Sequence, residues 1–179
     1  MASGSDSAPR VEMEIVCGAE AWGRIVLELD AATTPATTEN FLRYVDDGFF
    51  DGTVFHRVIP TFMIQGGGHV EGLAPKRSGL YPPIENEAAK GRGNKRGTIA
   101  MARTGEPHSA TSQFFINTAD NDFLDHPGRD GWGYCAFGRV IEGLDVVDRI
   151  KNVPTQANPA MGEASQPIDP PVVKAARRV

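Results

Sequence analysis

Residues 55–68 read FHRVIPTFMIQGGG, a stretch that mixes large apolar side chains with glycine and a few polar groups. Its alternation predicts an extended segment over 62–65. Successive side chains of a strand point to opposite faces, so Met63 and Gln65 share one face. One face is expected to enter a core and the other to line an external groove, and the alternation alone does not say which is which.

A second stretch, residues 97–117, reads GTIAMARTGEPHSATSQFFIN. The same rule puts Gln113 and Phe115 on one face of a strand and Phe114 on the other. Phe114 is interpreted as a core residue. A groove of Met, Phe and Leu side chains with Gln and Arg at its edge suits an uncharged peptide segment that carries an apolar ring.

The rest of the chain is mostly strand with two helices. One helix has Thr34 as N-cap, Pro35 at its first position and Gly48 at its end. The other is predicted at Leu144–Lys151, with Leu144, Val147 and Ile150 as its buried stripe. Many short strands and two helices favour a closed or nearly closed antiparallel sheet with helices over its ends. The predicted strands are Val11–Cys17, Gly23–Leu29, Thr53–Val58, Phe62–Gln65, Thr98–Ala102, Gln113–Asn117 and Tyr134–Val140.

Length and charge narrow the function classes. With 179 residues the chain is long enough for one domain with its own core. A net charge of -5 disfavours a general binder of nucleic acid or anionic membranes. No apolar run approaches a membrane span, and the first ten residues have no apolar signal region. The two cysteines, Cys17 and Cys135, are interpreted as free thiols, which favours a cytoplasmic protein. We also expect a monomer.

The ends and two internal segments are less defined. We predict a flexible tail at 1–10, a folded domain at 11–175 and a short tail at 176–179. Residues 153–171 hold five of the thirteen prolines and are interpreted as a surface loop before a last strand near Val172. The stretch HPGRDGW (126–132) has no role that the pattern reveals.

The two long motifs carry a family resemblance. FHR-x-I-P-x-F-M-I-Q-G-G followed by M-A-R-x-x-x-P-H-S-A-x-S-Q-F-F-I-N resembles the cyclophilin-type peptidyl-prolyl cis–trans isomerases, especially their bacterial cytosolic branch. The likeness spans about residues 11–153. It implies a mainly β fold, a closed eight-stranded antiparallel barrel capped by two helices. It also implies acceleration of X–Pro bond rotation in flexible protein segments, with no cofactor and no metal.

Site residues follow from the resemblance, position by position. Arg57 matches the catalytic arginine. Many eukaryotic members have a tryptophan at the position of Phe123, so we expect weak cyclosporin binding. They have a histidine at the position of Tyr134, so we expect a site that is altered but active. This chain has Arg103 and Thr104 where the vertebrate cytosolic members have asparagine and alanine. The expected substrate-binding residues are Phe62, Met63, Gln65, Ala102, Arg103, Thr104, Gln113, Phe115, Phe123, Leu124 and Tyr134.

Other interpretations stay open. The chain could be a proline-peptide binding module without useful catalysis, acting as a chaperone or scaffold. A weaker idea is a nuclease or RNA-linked role, which the acidic net charge disfavours. His56 is expected to point away from Arg57 and to make a structural hydrogen bond. Histidine pairs such as His108 and His126 lack the spacing of a zinc site.

Overall fold

The computed structural model describes residues 7–179, ten strands and two helices. The elements are β1 (Arg10–Cys17), β2 (Glu20–Leu29), α1 (Pro35–Asp46), β3 (Arg57–Ile59), β4 (Met63–Gly66), β5 (Thr98–Met101), β6 (Phe114–Asn117), β7 (Ala136–Glu142), α2 (Leu144–Lys151), β8 (Thr155–Ala157), β9 (Ala164–Pro167) and β10 (Val172–Arg178). Eight of these strands form one antiparallel sheet in the order β10-β1-β2-β7-β5-β6-β4-β3. Among the described residues, no helix is long and apolar enough to cross a membrane.

The sheet is strongly curled but is not a closed barrel, so the expectation of full closure is wrong. Within residues 7–179, the first and last strands of the order, β10 and β3, share no ladder. On the β3 side, residues 52–55 approach β10 through three backbone hydrogen bonds with 171–173 and the isolated bridge between Val54 and Val172, which do not make a ladder. β3 itself is three residues long, shorter than the predicted strand 53–58, and pairs with β4.

Helix α1 begins as predicted, with Thr34 as N-cap and Pro35 at the first position. The Thr34 side chain donates to the carbonyl of Asp30 and does not cap the helix. Glu87, far along the chain, caps it instead: its Oε1 accepts the Thr37 backbone N–H at 2.7 Å and the Thr37 hydroxyl at 2.6 Å. A carboxylate at a helix N-terminus also complements the helix dipole.

Helix α2 has the predicted bounds, and two of its three predicted buried residues, Val147 and Ile150, are buried. Val146, Val147 and Ile150 are buried, whereas Leu144 is 37% exposed. The prediction of Leu144 in the buried stripe is therefore wrong. The helix follows Gly143, whose φ is 93°. A Cβ atom at this position would lie 2.1 Å from the Arg24 carbonyl oxygen, so only glycine fits before the helix.

The predicted loop at 153–171 contains a β-hairpin, formed by β8 and β9. Its three- and four-residue strands are too short for the alternation signal. The last strand, β10, extends to Arg178 and so includes residues assigned to a C-terminal tail. At the other end, Arg10 already belongs to β1, and residues 1–6 of the expected tail lie outside the described residues.

Two apolar clusters occupy the two sides of the sheet. The inner cluster is the main core, and Phe114 and Ile64 belong to it, in agreement with the core role expected for Phe114. The outer cluster is smaller and contains Met63, Phe115 and Leu124. Strand alternation in β4 and β6 thus supplies both the core and an external apolar site.

Candidate active site

One row of residues crosses the outer face of the sheet. Arg57 in β3 pairs in register with Gln65 in β4, and Gln65 pairs with Phe115 in β6. The row continues through Ala100 in β5 to Ala136 in β7. Cross-strand neighbours have Cβ atoms about 4.5–5.5 Å apart, so the register itself brings arginine, glutamine and phenylalanine together. Ala100 and Ala136 are fully buried in the outer apolar cluster beside Phe115.

An apolar pocket lies beside this row, in a groove with a cavity volume of about 770 Å³. Met63 and Phe115 form part of its floor, and Phe62, Leu124 and Tyr134 complete the lining. Two backbone contacts hold the wall: the N–H of Tyr134 donates to the Leu124 carbonyl at 2.8 Å, and Asn121 donates its side-chain amide to the Phe62 carbonyl at 2.9 Å. The pocket is therefore formed by fixed backbone and can hold an apolar ring without reorganising.

The polar edge of the groove is a chain of four side chains. The Gln65 amide donates to Gln113 Oε1 at 2.9 Å, and Arg57 Nη1 donates to Gln65 Oε1 at 3.4 Å. On its other side, Arg57 donates from Nε to Glu163 Oε1 at 2.6 Å and from Nη2 to Glu163 Oε2 at 3.4 Å. This ion pair lowers the pKa of the Glu163 carboxyl, chiefly through the hydrogen bond from Arg57. The guanidinium, 20% exposed, keeps further N–H groups for a ligand in the groove.

Arg103 has a structural position in the wall. Its side chain is 3% exposed, lies 4.3 Å from the centroid of the Tyr134 ring, and donates to Asp130 Oδ2 at 2.6 Å and to the Gly133 carbonyl at 2.8 Å. Asp130 also accepts the backbone N–H groups of Trp132 and Gly133. The 126–132 stretch, which had no assigned role, thus fixes Arg103 under Tyr134.

His56 lines the same groove as Arg57. His56 precedes β3 and is not bound by strand alternation. Its ring packs against His69 at a 31° tilt, with centroids 3.9 Å apart. Its buried Nδ1 has no hydrogen-bond partner among the described residues, so the expected structural hydrogen bond is not made by this atom. Burial, with smaller effects from His69 and Arg57, lowers the pKa of His56 to about 3. His56 is therefore neutral at physiological pH.

The groove brings together ten of the twelve residues expected at the site, all except Thr104 and Phe123. Thr104 is exposed, and its hydroxyl donates to Ser109 Oγ at 2.9 Å. Phe123 lies at the rim, 50% exposed, with its ring stacked on Phe62 at 5.8 Å. Both are adjacent to the groove without lining the cavity.

Sequence reasoning missed one wall of the groove, the tip of the β8–β9 hairpin. Asn158, Pro159, Ala160 and Met161 line the cavity there, and Gln166 follows on β9. The only signal was the density of proline and glycine in 153–171, which indicates turns but not where they fold. His69 and Leu73 on the loop after β4 were also missed.

Comparisons with known proteins agree with this geometry. The sequence profile described as "Cyclophilin type peptidyl-prolyl cis-trans isomerase/CLD" matches residues 11–177. Peptidyl-prolyl cis-trans isomerase cyp18 of Streptomyces antibioticus is 54% identical over 157 residues, 87% of this chain and 92% of that protein. Peptidyl-prolyl cis-trans isomerase A of Dickeya dadantii is 52% identical over 147 residues, 82% of this chain and 76% of that protein.

Peptidyl-prolyl cis-trans isomerase B of Escherichia coli is 54% identical over 135 residues, 74% of this chain and 81% of that protein. Each match covers most of both chains, and the profile reaches from β1 into β10. The chain belongs to the cyclophilin-type peptidyl-prolyl cis–trans isomerases.

Proposed function

We propose that this isomerase accelerates X–Pro rotation by stabilising the twisted prolyl amide with Arg57, in an apolar groove and without a covalent intermediate. The observation that carries the proposal is the register row, which sets the Arg57 guanidinium beside the pocket that contains Met63 and Phe115. No cofactor and no metal enter this mechanism.

The energy required is modest. Rotation about a peptide bond meets a barrier of about 18–20 kcal/mol, because the nitrogen lone pair must leave resonance with the carbonyl. Uncatalysed prolyl exchange takes about 10–100 s, and a millisecond turnover requires a gain of about 5–7 kcal/mol. A charged hydrogen-bond donor directed at the pyramidal prolyl nitrogen supplies about 2.7–4 kcal/mol of this gain.

The substrate is a proline-containing peptide or a flexible protein segment. The proline ring occupies the pocket of Phe62, Met63, Phe115 and Leu124, walled by Tyr134. The residues before proline run along 102–104. The Ala102 N–H already donates to the Gln113 carbonyl at 3.0 Å, so its own carbonyl is the group available to a substrate N–H. Gln65 and Gln113 orient the segment, and the cellular role is assistance to folding steps limited by proline isomerisation.

Cyclosporin should bind weakly. Phe123 is exposed at the rim beside Phe62, where its ring can cover an apolar ligand. A phenyl ring has no N–H donor, so the hydrogen bond that tryptophan gives cyclosporin in many eukaryotic members is missing. The monomeric state and the cytoplasmic location stay predictions.

The test is prolyl isomerisation of a short X–Pro peptide at low temperature. The variants are Arg57→Ala and, as a matched control, Arg139→Ala, an exposed strand arginine that pairs with Glu28. We expect kcat/KM to fall on the order of a hundredfold in R57A, with unchanged unfolding midpoint, and to stay at the wild-type value in R139A.

A folded R57A protein with wild-type turnover would refute the role of Arg57. A well-folded wild type without acceleration would leave the alternative, a module that binds proline segments and acts as a chaperone or scaffold.

A further inference from the structure

We infer that Glu163 is a positioning residue for the arginine of this site: its carboxylate holds one edge of the Arg57 guanidinium and directs the other edge into the groove. The inference rests on the proposed function of Arg57. It adds a residue from a hairpin that lies outside the eight-stranded sheet.

The geometry is that of a directed pair. Glu163 accepts from Nε at 2.6 Å and from Nη2 at 3.4 Å, both on the same side of the guanidinium. Gln65 takes one Nη1 donor at 3.4 Å, a weaker contact. The carboxylate is therefore the dominant fixed partner of Arg57, because a charge-assisted hydrogen bond is about twice as strong as a neutral one. The plane of the guanidinium follows from where that carboxylate sits.

The backbone under Glu163 is itself fixed. The Glu163 carbonyl accepts the N–H of Asn158 at 2.7 Å and that of Ser165 at 3.0 Å. The Gly162 N–H donates to the Asn158 carbonyl at 2.8 Å, with Gly162 at a φ of 67°. This turn holds the backbone of Glu163 in a fixed position at the groove. A residue that orients another side chain needs such a rigid backbone.

Positioning matters because arginine is long and flexible. A free Arg57 would distribute over many rotamers and would lose that freedom each time a substrate bound. A partner that holds the Nε edge in advance removes this loss and leaves the remaining N–H groups aimed at the prolyl amide. The same carboxylate reduces the net charge that the substrate meets, so the benefit is one of orientation.

The experiment compares wild type, Glu163→Ala and Glu163→Gln in the peptide assay. The control is Glu20→Gln, which removes the carboxylate of a remote arginine pair of similar length, 2.7 Å to Arg149. We expect E163A to lower kcat about tenfold with KM within about twofold, and E163Q to lower it less. E20Q should match wild type, and the urea midpoint of all three variants should stay close to that of wild type.

A double-mutant cycle with Arg57→Ala distinguishes a positioning role of Glu163 from a merely structural one. If Glu163 acts through Arg57, adding E163A to R57A changes kcat no further. The Arg57 Nε–H resonance in ¹H–¹⁵N spectra should shift and exchange faster in E163A, since its strongest acceptor is gone.

Wild-type kcat in E163A, or an equal loss with and without Arg57, would overturn the inference. Failure of the proposed function is distinct, because it appears as the absence of any wild-type acceleration or as a fully active R57A protein.

Discussion

Phe114 and Phe115 are adjacent in β6 and face opposite sides of the sheet, so truncating each should separate stability from activity. Phe114 is fully buried and makes edge contacts with three other rings, at centroid distances of 5.7, 5.5 and 6.2 Å. Phe114→Ala leaves a sealed cavity and loses those contacts. We expect a loss of about 4–5 kcal/mol in the free energy of unfolding.

Phe115 is 5% exposed, but its ring borders the groove and has one aromatic neighbour, Tyr134 at 5.9 Å. Phe115→Ala opens into the groove, so mainly the transfer free energy is lost, about 2–3 kcal/mol. The proline ring then loses one face of its pocket, and kcat/KM should fall roughly tenfold or more.

The assays are urea unfolding and prolyl isomerisation, both at low temperature, where the less stable variant stays folded. Folded F114A should retain most of the wild-type kcat/KM. The reasoning fails if folded F114A loses more kcat/KM than F115A, or if F115A is as destabilised as F114A while its turnover is unchanged.

Three further outcomes are expected. The pKa of His56 is about 3 in the folded protein and about 6.5 in the unfolded chain, so the unfolded chain binds the extra proton. Stability should therefore fall by about 1.6 kcal/mol from pH 6.5 to pH 5. Urea midpoints of wild type and His56→Asn at both pH values measure this, and an equal pH dependence in the two proteins would contradict it. Glu87→Ala removes the cap of α1 and should cost about 1 kcal/mol, or about 2–4 °C in Tm by calorimetry, and an unchanged Tm would exclude the capping role. Phe123→Trp places an indole donor at the rim and should tighten cyclosporin binding about tenfold, since one hydrogen bond contributes about 0.5–1.5 kcal/mol. Fluorescence titration measures the affinity, and equal affinity of the two proteins would show that the missing donor does not limit binding.

The sequence predicted well what depends on local pattern. The alternation in β1, with Val11, Met13 and Ile15 buried, and the bounds of α2 follow from periodicity. The side chains of the groove followed from the family resemblance that the two long motifs carry, since alternation alone did not say which face of each strand lines it. Periodicity could not predict contacts between residues that are far apart in the sequence. Examples are the capping of α1 by Glu87 and the ion pair between Asp130 and Arg103.

The errors have physical reasons as well. The buried stripe of α2 depends on how the helix sits against β2, and eight residues define that angle poorly, so Leu144 was misplaced. The hairpin of β8 and β9 is held by its turn more than by a hydrophobic face, and proline-rich composition hides such a turn. Glu163 went unrecognised because an isolated acidic residue in a predicted loop carries no signal of its own.

Arg57, Gln65 and Phe115 lie in one row across three strands, so isomerase activity depends directly on the register of these strands. A slip of β4 by one residue would turn Gln65 toward the inner core and bring Ile64 to the outside, which would destroy both the polar edge and the packing. A misaligned but compact form of this protein could keep its secondary structure and would have no turnover. In refolding experiments, the return of isomerase activity would therefore time the moment when β3, β4 and β6 reach their final alignment, a step that circular dichroism does not distinguish.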